Sequence, residues 1–275
     1  MKSNPDRADT PVMVPIAEIV QETAKVRTFY FDYELKSKPG QFVMLWIPGV
    51  DQKPFSIGGD EGDSFQLSIF ELGKATQTLF KLKKGDKVGI SGPYGTDYAW
   101  KPKQHVITVG GGYGAAPLAF LADRAAEEKC KIDFIVGARS REHLLFEKRA
   151  KKAGAKVHAA TDDGSRGVKG FATDILDKIL NDMSDRKRKD VVVCACGPEL
   201  MQKKVAELGK TYGVATQISL ERYMKCGFGI CGNCCVDDDG FPTCQKGPVI
   251  SGAKALRIIE FGKYHRDKQG IKHEF

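Results

Sequence analysis

From Met224 to Pro248 the chain reads M-K-C-G-F-G-I-C-G-N-C-C-V-D-D-D-G-F-P-T-C-Q-K-G-P, with cysteines at Cys226, Cys231, Cys234, Cys235 and Cys244. Leaving out Cys235, the spacing is C-x4-C-x2-C-x9-C, and its first three members match the plant-type [2Fe–2S] pattern. The spacing has a chemical reason. Four thiolates must converge on one small anionic cluster. The arc from Cys226 to Cys231 carries Gly227 and Gly229, which permit positive φ and close backbone approach. Backbone N–H groups of such an arc can point at sulfur and stabilise its charge. Cys226, Cys231, Cys234 and Cys244 are the candidate metal ligands. Cys235 follows Cys234 directly, so their side chains diverge, and it is set aside.

Other uses of these cysteines compete. Structural zinc sites pair two short C-x2–4-C knuckles, and only Cys231–Cys234 makes a clean one. Disulfide frameworks suit short secreted chains, whereas this chain has 275 residues and its N-terminus, M-K-S-N-P-D-R-A-D-T-P, shows no apolar signal region. Cytoplasmic residence is the expectation, with thiols kept reduced. Buried small residues are the reading for Cys130 and Cys194. No run of about 18 apolar residues marks a membrane span. The net charge of +8, from 43 basic and 35 acidic residues, fits a solvated Lys-rich surface or a field that attracts phosphate-bearing cofactors or an acidic partner. Basic and acidic residues are interspersed and no aromatic-basic motif occurs, which argues against nucleic-acid binding.

Upstream, the texture changes once. From Val12 to about Gly95 short β-branched and aromatic runs recur: 12–20, 26–33, 41–47, 65–69 and 87–91. Gly and Pro separate them, and one helical segment interrupts at 75–82. This spacing predicts a small antiparallel barrel. After Trp100 strands and helices alternate: strands at 105–109, 132–137, 156–160, 191–196 and 216–220, helices at 116–129, 142–153, 173–181 and 199–212. Such alternation predicts a parallel sheet with helices on both faces. The segment 95–104 is the best boundary, 1–11 reads as a disordered lead, and 251–275 is a charged, partly helical tail.

Several loops carry binding chemistry. Gly110-Gly-Gly-Tyr-Gly114 follows a strand and opens a helix, a context that exposes backbone amides to a pyrophosphate. Lys53-Pro-Phe55-Ser56-Ile57 sits at the end of a barrel strand, and Gly73-Lys74-Ala-Thr76 opens the barrel helix. A Lys with that helix start can hold a second pyrophosphate, and Phe55 can stack on a flat ring. Gly92-Pro-Tyr-Gly95 closes the barrel. Each motif alone is equally an ordinary loop.

Their order is more specific. K-P-F-S-I, G-K-A-T, G-P-Y-G, G-G-G-Y-G-A-A-P, G-A-R-S (137–140), T-D-D-G-S-R-G (161–167), C-G-P-E-L-M (196–201) and the cysteine cluster follow one another over about residues 12–250. This resembles the ferredoxin–NADP reductase superfamily and, with the cluster at the C-terminal end, its family of dihydroorotate dehydrogenase B electron-transfer subunits. The resemblance implies a FAD-binding β-barrel at 12–100, a NAD-binding α/β domain at 101–220 and a [2Fe-2S] module at 221–250, before the tail 251–275. It places FAD at Lys53, Phe55 and Ser56, the R-x-[YF]-[ST] position with Lys for Arg, and at Gly73 and Thr76. It places NAD at Gly110, Gly112 and Gly114 and its nicotinamide near Cys196, Gly197 and Pro198, and the cluster on the four cysteines.

No residue pattern here forms an orotate site. The implied role is the electron-transfer half of a NAD-dependent dihydroorotate dehydrogenase in pyrimidine biosynthesis. A catalytic FMN subunit would be its partner, in a hetero-oligomer such as a heterotetramer. Two other readings stay open. One is a flavin/iron–sulfur reductase subunit of a sulfide dehydrogenase, sulfite reductase or transhydrogenase complex; the other is a zinc-stapled nucleotide-binding module. NAD versus NADP also stays open: Arg139, Ser140 and Arg141 follow the second strand of the nucleotide domain, where a 2′-phosphate can be met, while the resemblance favours NAD.

Overall fold

The structure, a computed structural model, describes residues 10–275. The expected disordered lead lies outside the described residues except for Thr10 and Pro11. The first half forms strands β1 (Val12–Pro15), β2 (Glu18–Thr23), β3 (Val26–Phe31), β4 (Phe42–Ile47), β5 (Asp51–Asp60), β6 (Phe65–Phe70) and β7 (Lys87–Tyr94), with helix α1 (Lys74–Leu79) between β6 and β7. They make one antiparallel sheet in the order β1-β7-β4-β5-β6-β3-β2. β1 and β2 lie at its opposite edges, yet only Ile16 and Ala17 separate them. The edges must therefore approach each other, which curls the sheet into a half-barrel. The run 12–20 is thus two strands, not the single one expected. At the crossing the Ile16 N–H bonds Asp86 O beside β7 and the Ala17 N–H bonds Tyr30 O on β3.

The longest barrel strand, β5, escaped the pattern because it contains Pro54, which argues against an interior strand. The register explains the exception. Pro54 pairs with Met44 of β4, while pairing with β6 begins only at Ile57. At Pro54 no β6 partner is there to need its missing N–H. The K-P-F-S-I motif therefore lies within a strand rather than at its end.

Strand β4, F-V-M-L-W-I, is buried at every position but Trp46. Alternate side chains point to opposite faces. Val43, Leu45 and Ile47 enter the barrel core with Phe29, Phe31 and Leu67. Phe42 and Met44, on the other face, pack with Met224, Cys234 and Cys244. The outer wall of the barrel is thereby the seat of the cysteine loop.

The second sheet runs β11-β10-β9-β8-β12-β13-β14, built from β8 (His105–Gly111), β9 (Lys131–Ala138), β10 (Lys156–Thr161), β11 (Val168–Lys169), β12 (Val191–Cys196), β13 (Ala215–Ser219) and β14 (Val249–Ser251). All neighbours are parallel except β13–β14. Central β12, V-V-V-C-A-C, is buried throughout, as expected where both faces are covered. Helices α2 (Ala115–Glu127) and α3 (Glu147–Lys152) cover one face with Val106, Phe134 and Val136. Helices α4 (Ala172–Asn181) and α6 (Glu199–Tyr212) cover the other with Ile107, Val109 and Ile135. The short helix α5 (Asp185–Arg188) precedes β12. Helix α3 is shorter than the expected 142–153. Residues Arg141–His143 form a 3-10 turn, and Phe146 takes a left-handed φ of 62° that starts the helix afresh.

The two sheets are stapled. Arg149 Nη1 donates to Gly58 O at 2.7 Å and Nε to Asp123 Oδ2 at 2.8 Å, and Arg124 donates to Asp60 O. The segment 95–104 is likewise tied down: Tyr98 OH donates to Ala195 O at 2.9 Å and Thr96 Oγ1 to Val249 O at 2.7 Å. Helices α7 (Thr243–Lys246) and α8 (Gly252–Ala255) flank β14, and the tail ends in a hairpin of β15 (Tyr264–Arg266) and β16 (Lys272–Glu274). The tail thus holds one short helix and one hairpin. Among the described residues no helix is long and apolar enough to cross a membrane.

Candidate functional site

The cysteine arc leaves β13 and folds back onto the barrel. Gly227 and Gly229 have φ of 88° and 90°. A Cβ on Gly227 would lie 2.5 Å from Met44 Cγ, and one on Gly229 would overlap the Gln245 side chain. Here glycine is needed for conformation and for space together. The arc aims its amides inward. Burial by itself would raise the Cys226 thiol, but backbone N–H groups of Cys231, Phe228 and Ile230 and the Cys231 thiol outweigh it and bring it down to about 6. The Cys244 N–H donates to Cys234 Sγ at 3.4 Å. Burial, the hydrogen bond of its S–H to Cys234 and the charges of Cys234 and Cys226 push the Cys244 thiol up.

The four thiols thus form two adjacent pairs, Cys226 with Cys231 and Cys234 with Cys244. Among the described residues no three His, Cys, Asp or Glu side chains have the spacing of a single-ion site. Two neighbouring thiol pairs are the donor set of a two-iron cluster, in which each iron takes two thiolates. Sulfur donors with converging amides fit such a cluster. Cys235 lies in an isolated bridge with Pro242, and its thiol is raised by burial and by the Cys234 and Cys231 charges. Cys234 and Cys244 are buried while Cys231 is exposed, and beside it Ile230 is 78% exposed. The cysteine arc therefore has one side on the barrel and one on the surface. A cavity of about 510 Å³ between arc and barrel is lined by Pro93, Tyr94, Gly95, Gly227, Phe228, Cys244 and Gln245. G-P-Y-G, whose first three residues end β7, is thus a neighbour of the cysteine arc.

In the barrel, Lys53 Nζ pairs with Asp51 at 2.9 Å and stands 4.9 Å from the centre of the Tyr223 ring. Phe55 and Ser56 follow on the same strand, both half-buried. Thr76 is committed locally. Its hydroxyl accepts the Leu72 and Gly73 N–H groups at 2.9 and 3.1 Å and donates to Gly73 O at 3.0 Å. It shapes the turn, leaving backbone amides at the start of α1 as the donors a phosphate can meet.

The glycine loop packs against the Cys196 segment. β8 and β12 are neighbours, so Gly110–Gly114 and Cys196-Gly197-Pro198 leave the sheet side by side. A Cβ on Gly114 would lie 2.5 Å from Cys196 O, and one on Gly197, at φ 143°, 2.8 Å from Gly111 N. Cys196 is buried, and burial followed by the charge of Glu221 pushes its thiol up to about 12, so it is a neutral wall rather than a nucleophile. Cys194 is fully buried, as expected; Cys130 is only half-buried.

Sequence reading passed over Glu221. It is solvent-exposed, and its charge acts on Tyr113 of the glycine loop and on Cys196. Neighbouring protein atoms and the charge of Glu199, partly offset by Arg222, push its carboxyl above the usual carboxylate range. Its charge in turn heads the causes that raise the Tyr113 hydroxyl. Its place directly after the last parallel strand was the available signal, since open α/β sheets bind ligands at the carboxyl ends of their strands. Next to it, Arg222 Nη1 donates to Glu199 Oε2 at 2.7 Å and Nε donates to Glu260, all three side chains nearly inaccessible. Glu260 Oε2 accepts the Asp237 N–H at 2.9 Å, and Asp237 accepts from Tyr264 OH at 2.5 Å.

Comparison with known proteins agrees with this layout. Residues 221–255 match the family described as the iron-sulfur cluster binding domain of dihydroorotate dehydrogenase B, and residues 108–207 match the oxidoreductase NAD-binding domain. The dihydroorotate dehydrogenase B (NAD(+)) electron transfer subunit of Methanocaldococcus jannaschii is 45% identical over 96% of this chain and 98% of its own. The protein of the same description from Methanocella arvoryzae is 42% identical over 96% and 99%. A chain of the NADH-dependent reduced ferredoxin-NADP oxidoreductase structure is 27% identical, with TM-score 0.78 over 88% of this chain and 89% of that one.

Proposed function

This chain belongs to the family of dihydroorotate dehydrogenase B electron-transfer subunits, and from that membership we propose that it receives electrons from a catalytic subunit oxidising dihydroorotate and delivers them to NAD+ in pyrimidine biosynthesis. Its cofactors are a [2Fe–2S] cluster and FAD, with NAD as the nucleotide. A flavin supplies the conversion between one-electron and two-electron transfer that a cluster and a nicotinamide cannot make between themselves.

The observation that carries the reading is the seat of the cysteine arc on the outer wall of the barrel, through Phe42, Met44 and Met224. It sets the four thiols beside the barrel and leaves Cys231 facing outward, toward a partner. Cys226, Cys231, Cys234 and Cys244 hold the cluster, and their converging amides stabilise its charge. Lys53, with its Asp51 partner, presents a cation for a flavin phosphate; Phe55 and Ser56 flank it, and Gly73 and Thr76 build the turn for a second phosphate contact. Gly110, Gly112 and Gly114 present backbone to the nucleotide pyrophosphate, while Cys196, Gly197 and Pro198 wall the nicotinamide end. The partner carries its own FMN and the dihydroorotate site, the assembly is a heterotetramer, and it resides in the cytoplasm.

The test is a pair of assays. Alone, the protein should oxidise NADH with an artificial acceptor and leave dihydroorotate untouched; with the catalytic subunit of its own organism it should couple dihydroorotate oxidation to NAD+ reduction. Cys226→Ser should cut the coupled reaction far more than the dye reaction, because dyes take electrons upstream of the cysteine arc. Proportional loss of both with FAD retained would refute the reading. The similarity to the NADH-dependent reduced ferredoxin-NADP oxidoreductase chain supports a second reading, a subunit of a ferredoxin-linked reductase. Coupling to ferredoxin but not to the catalytic subunit would favour it.

A further inference from the structure

The hairpin that ends the chain sets two histidines directly opposite each other, His265 on β15 and His273 on β16. Their ring centres lie 5.6 Å apart, with the planes inclined by 26°. Opposed positions on paired strands bring side chains together on one face, so a ring contact is the ordinary outcome. Three further observations go past it. His273 Nε2 lies 3.0 Å from Asp267 Oδ2. An ionised carboxylate only accepts, so this nitrogen carries the proton, which leaves the lone pair of the neutral ring on Nδ1. The same hydrogen bond holds the Asp267 carboxyl below its usual range. Asp267 is itself fixed, because its other oxygen accepts the Gln269 and Ile271 N–H groups at 2.8 and 3.0 Å. Finally, His265 Nδ1 is buried without a hydrogen-bond partner among the described residues, and the ring packs 5.2 Å from that of Phe275. A carboxylate on the far nitrogen of a histidine is the arrangement that orients metal-binding imidazoles.

We propose that His265 and His273 form a binding site for a divalent transition-metal ion of the zinc type, with Asp267 orienting the His273 ring and water completing the coordination. With zinc–nitrogen bonds of about 2.0–2.1 Å, two imidazoles at the tetrahedral angle have ring centres about 5.2 Å apart, close to the observed 5.6 Å. Imidazole nitrogen suits zinc, copper and nickel, whereas magnesium and calcium need oxygen donors. With two protein ligands the site is open, consistent with the lack of any three-ligand group among the described residues.

The ion acts as a clip. A two-stranded hairpin is marginally stable by itself, and an ion that binds only the paired strands stabilises that pairing by mass action. The hairpin also grips the cysteine module. Tyr264 OH donates to Asp237 at 2.5 Å, and Arg266 Nε and Nη2 donate to its two oxygens at 3.1 and 3.0 Å. Zinc on the outer rings therefore tightens the tail's hold on the module.

The experiment is an anaerobic calorimetric titration of the flavin- and cluster-loaded protein with zinc sulfate, with cluster absorbance followed in parallel. The parent should take up one zinc ion per chain with its cluster absorbance unchanged. His265→Gln and His273→Gln should each weaken that binding at least tenfold; the His273 side chain is 48% exposed, so its loss leaves the core intact. Asp267→Asn keeps the turn but removes the charge behind His273, and should weaken binding by about tenfold. Hydrogen exchange gives a readout that needs no variant: zinc should slow the amides of 263–275 in the parent. No uptake by the parent, uptake that survives both histidine variants, or exchange unchanged in 263–275 overturns the site. Loss of cluster absorbance in step with uptake also overturns it, by assigning the zinc to the cysteines. Unchanged affinity in Asp267→Asn removes Asp267 from the site.

Discussion

At Cys226 three backbone amides and a second thiol hold the sulfur toward its anionic form against the pull of burial. Cys235, next to Cys234 in sequence, is shifted the other way. Replacing Cys226, Cys231, Cys234 or Cys244 by Ser should abolish or severely weaken the EPR signal of the reduced cluster, and Cys235→Ser should leave it nearly intact. Survival of the signal in Cys234→Ser with loss in Cys235→Ser would reverse the assignment. At Lys53 the charge is shared with Asp51 and stands over the Tyr223 ring. Lys53→Ala should weaken FAD retention by roughly 1.5–3 kcal/mol, the worth of a hydrogen bond to a charged group, while Lys53→Arg should retain FAD at least as well. Flavin absorbance after gel filtration reads both, and equal occupancy in Lys53→Ala would remove that residue from the phosphate site.

Among the elements, the parallel sheet carries a device that its sequence hides. Asp133 on β9 is buried and accepts from His105 Nε2 on β8 at 2.7 Å and His158 Nε2 on β10 at 2.6 Å, tying three adjacent strands. Burial would raise this carboxyl; the hydrogen bonds and charges of the two histidines outweigh it and lower it to about 2 from an ordinary 3.8. The folded value lies below the unfolded one. The carboxylate's contribution to stability is therefore complete above about pH 4 and is lost as the pH falls through the folded value near 2. Urea midpoints measured near pH 5 and pH 3 should drop more for the parent than for Asp133→Asn. Equal drops would show that Asp133 has no part in acid stability. Its two histidine partners account for Asp133 structurally.

Over the whole molecule, Arg222 joins regions that sequence order keeps apart. It holds Glu199, beside the Cys196 segment, and Glu260 of the tail, which in turn anchors Asp237 of the cysteine module. The tail 251–275, without a role in the sequence, is thereby a brace between module and nucleotide domain. Arg222→Met leaves two buried carboxylates without their cation and should cost about 3–5 kcal/mol. Adding Glu199→Gln and Glu260→Gln should recover part of that loss. Urea unfolding followed by flavin and tryptophan signals measures it, and a triple variant no more stable than Arg222→Met would show that the cost is packing rather than unpaired charge.

Local pattern determined a good deal of this protein. The C-x4-C-x2-C-x9-C spacing, the run V-V-V-C-A-C bounded at Val191–Cys196, the helix Glu199–Tyr212 and the change from strand texture to strand–helix alternation near Trp100 were all legible. Each depends on residues close in sequence, where periodicity and turn chemistry act directly. Strand β5 was not legible, because the tolerance for Pro54 depends on a partner strand that starts three residues later. Nor was the seat of the cysteine arc on Met44, about 180 residues upstream, nor the bracing of Glu199 and Glu260 by Arg222. These are relations between distant segments. No local propensity encodes them, since the burial and hydrogen bonds that create them exist only once both sheets have closed on one another.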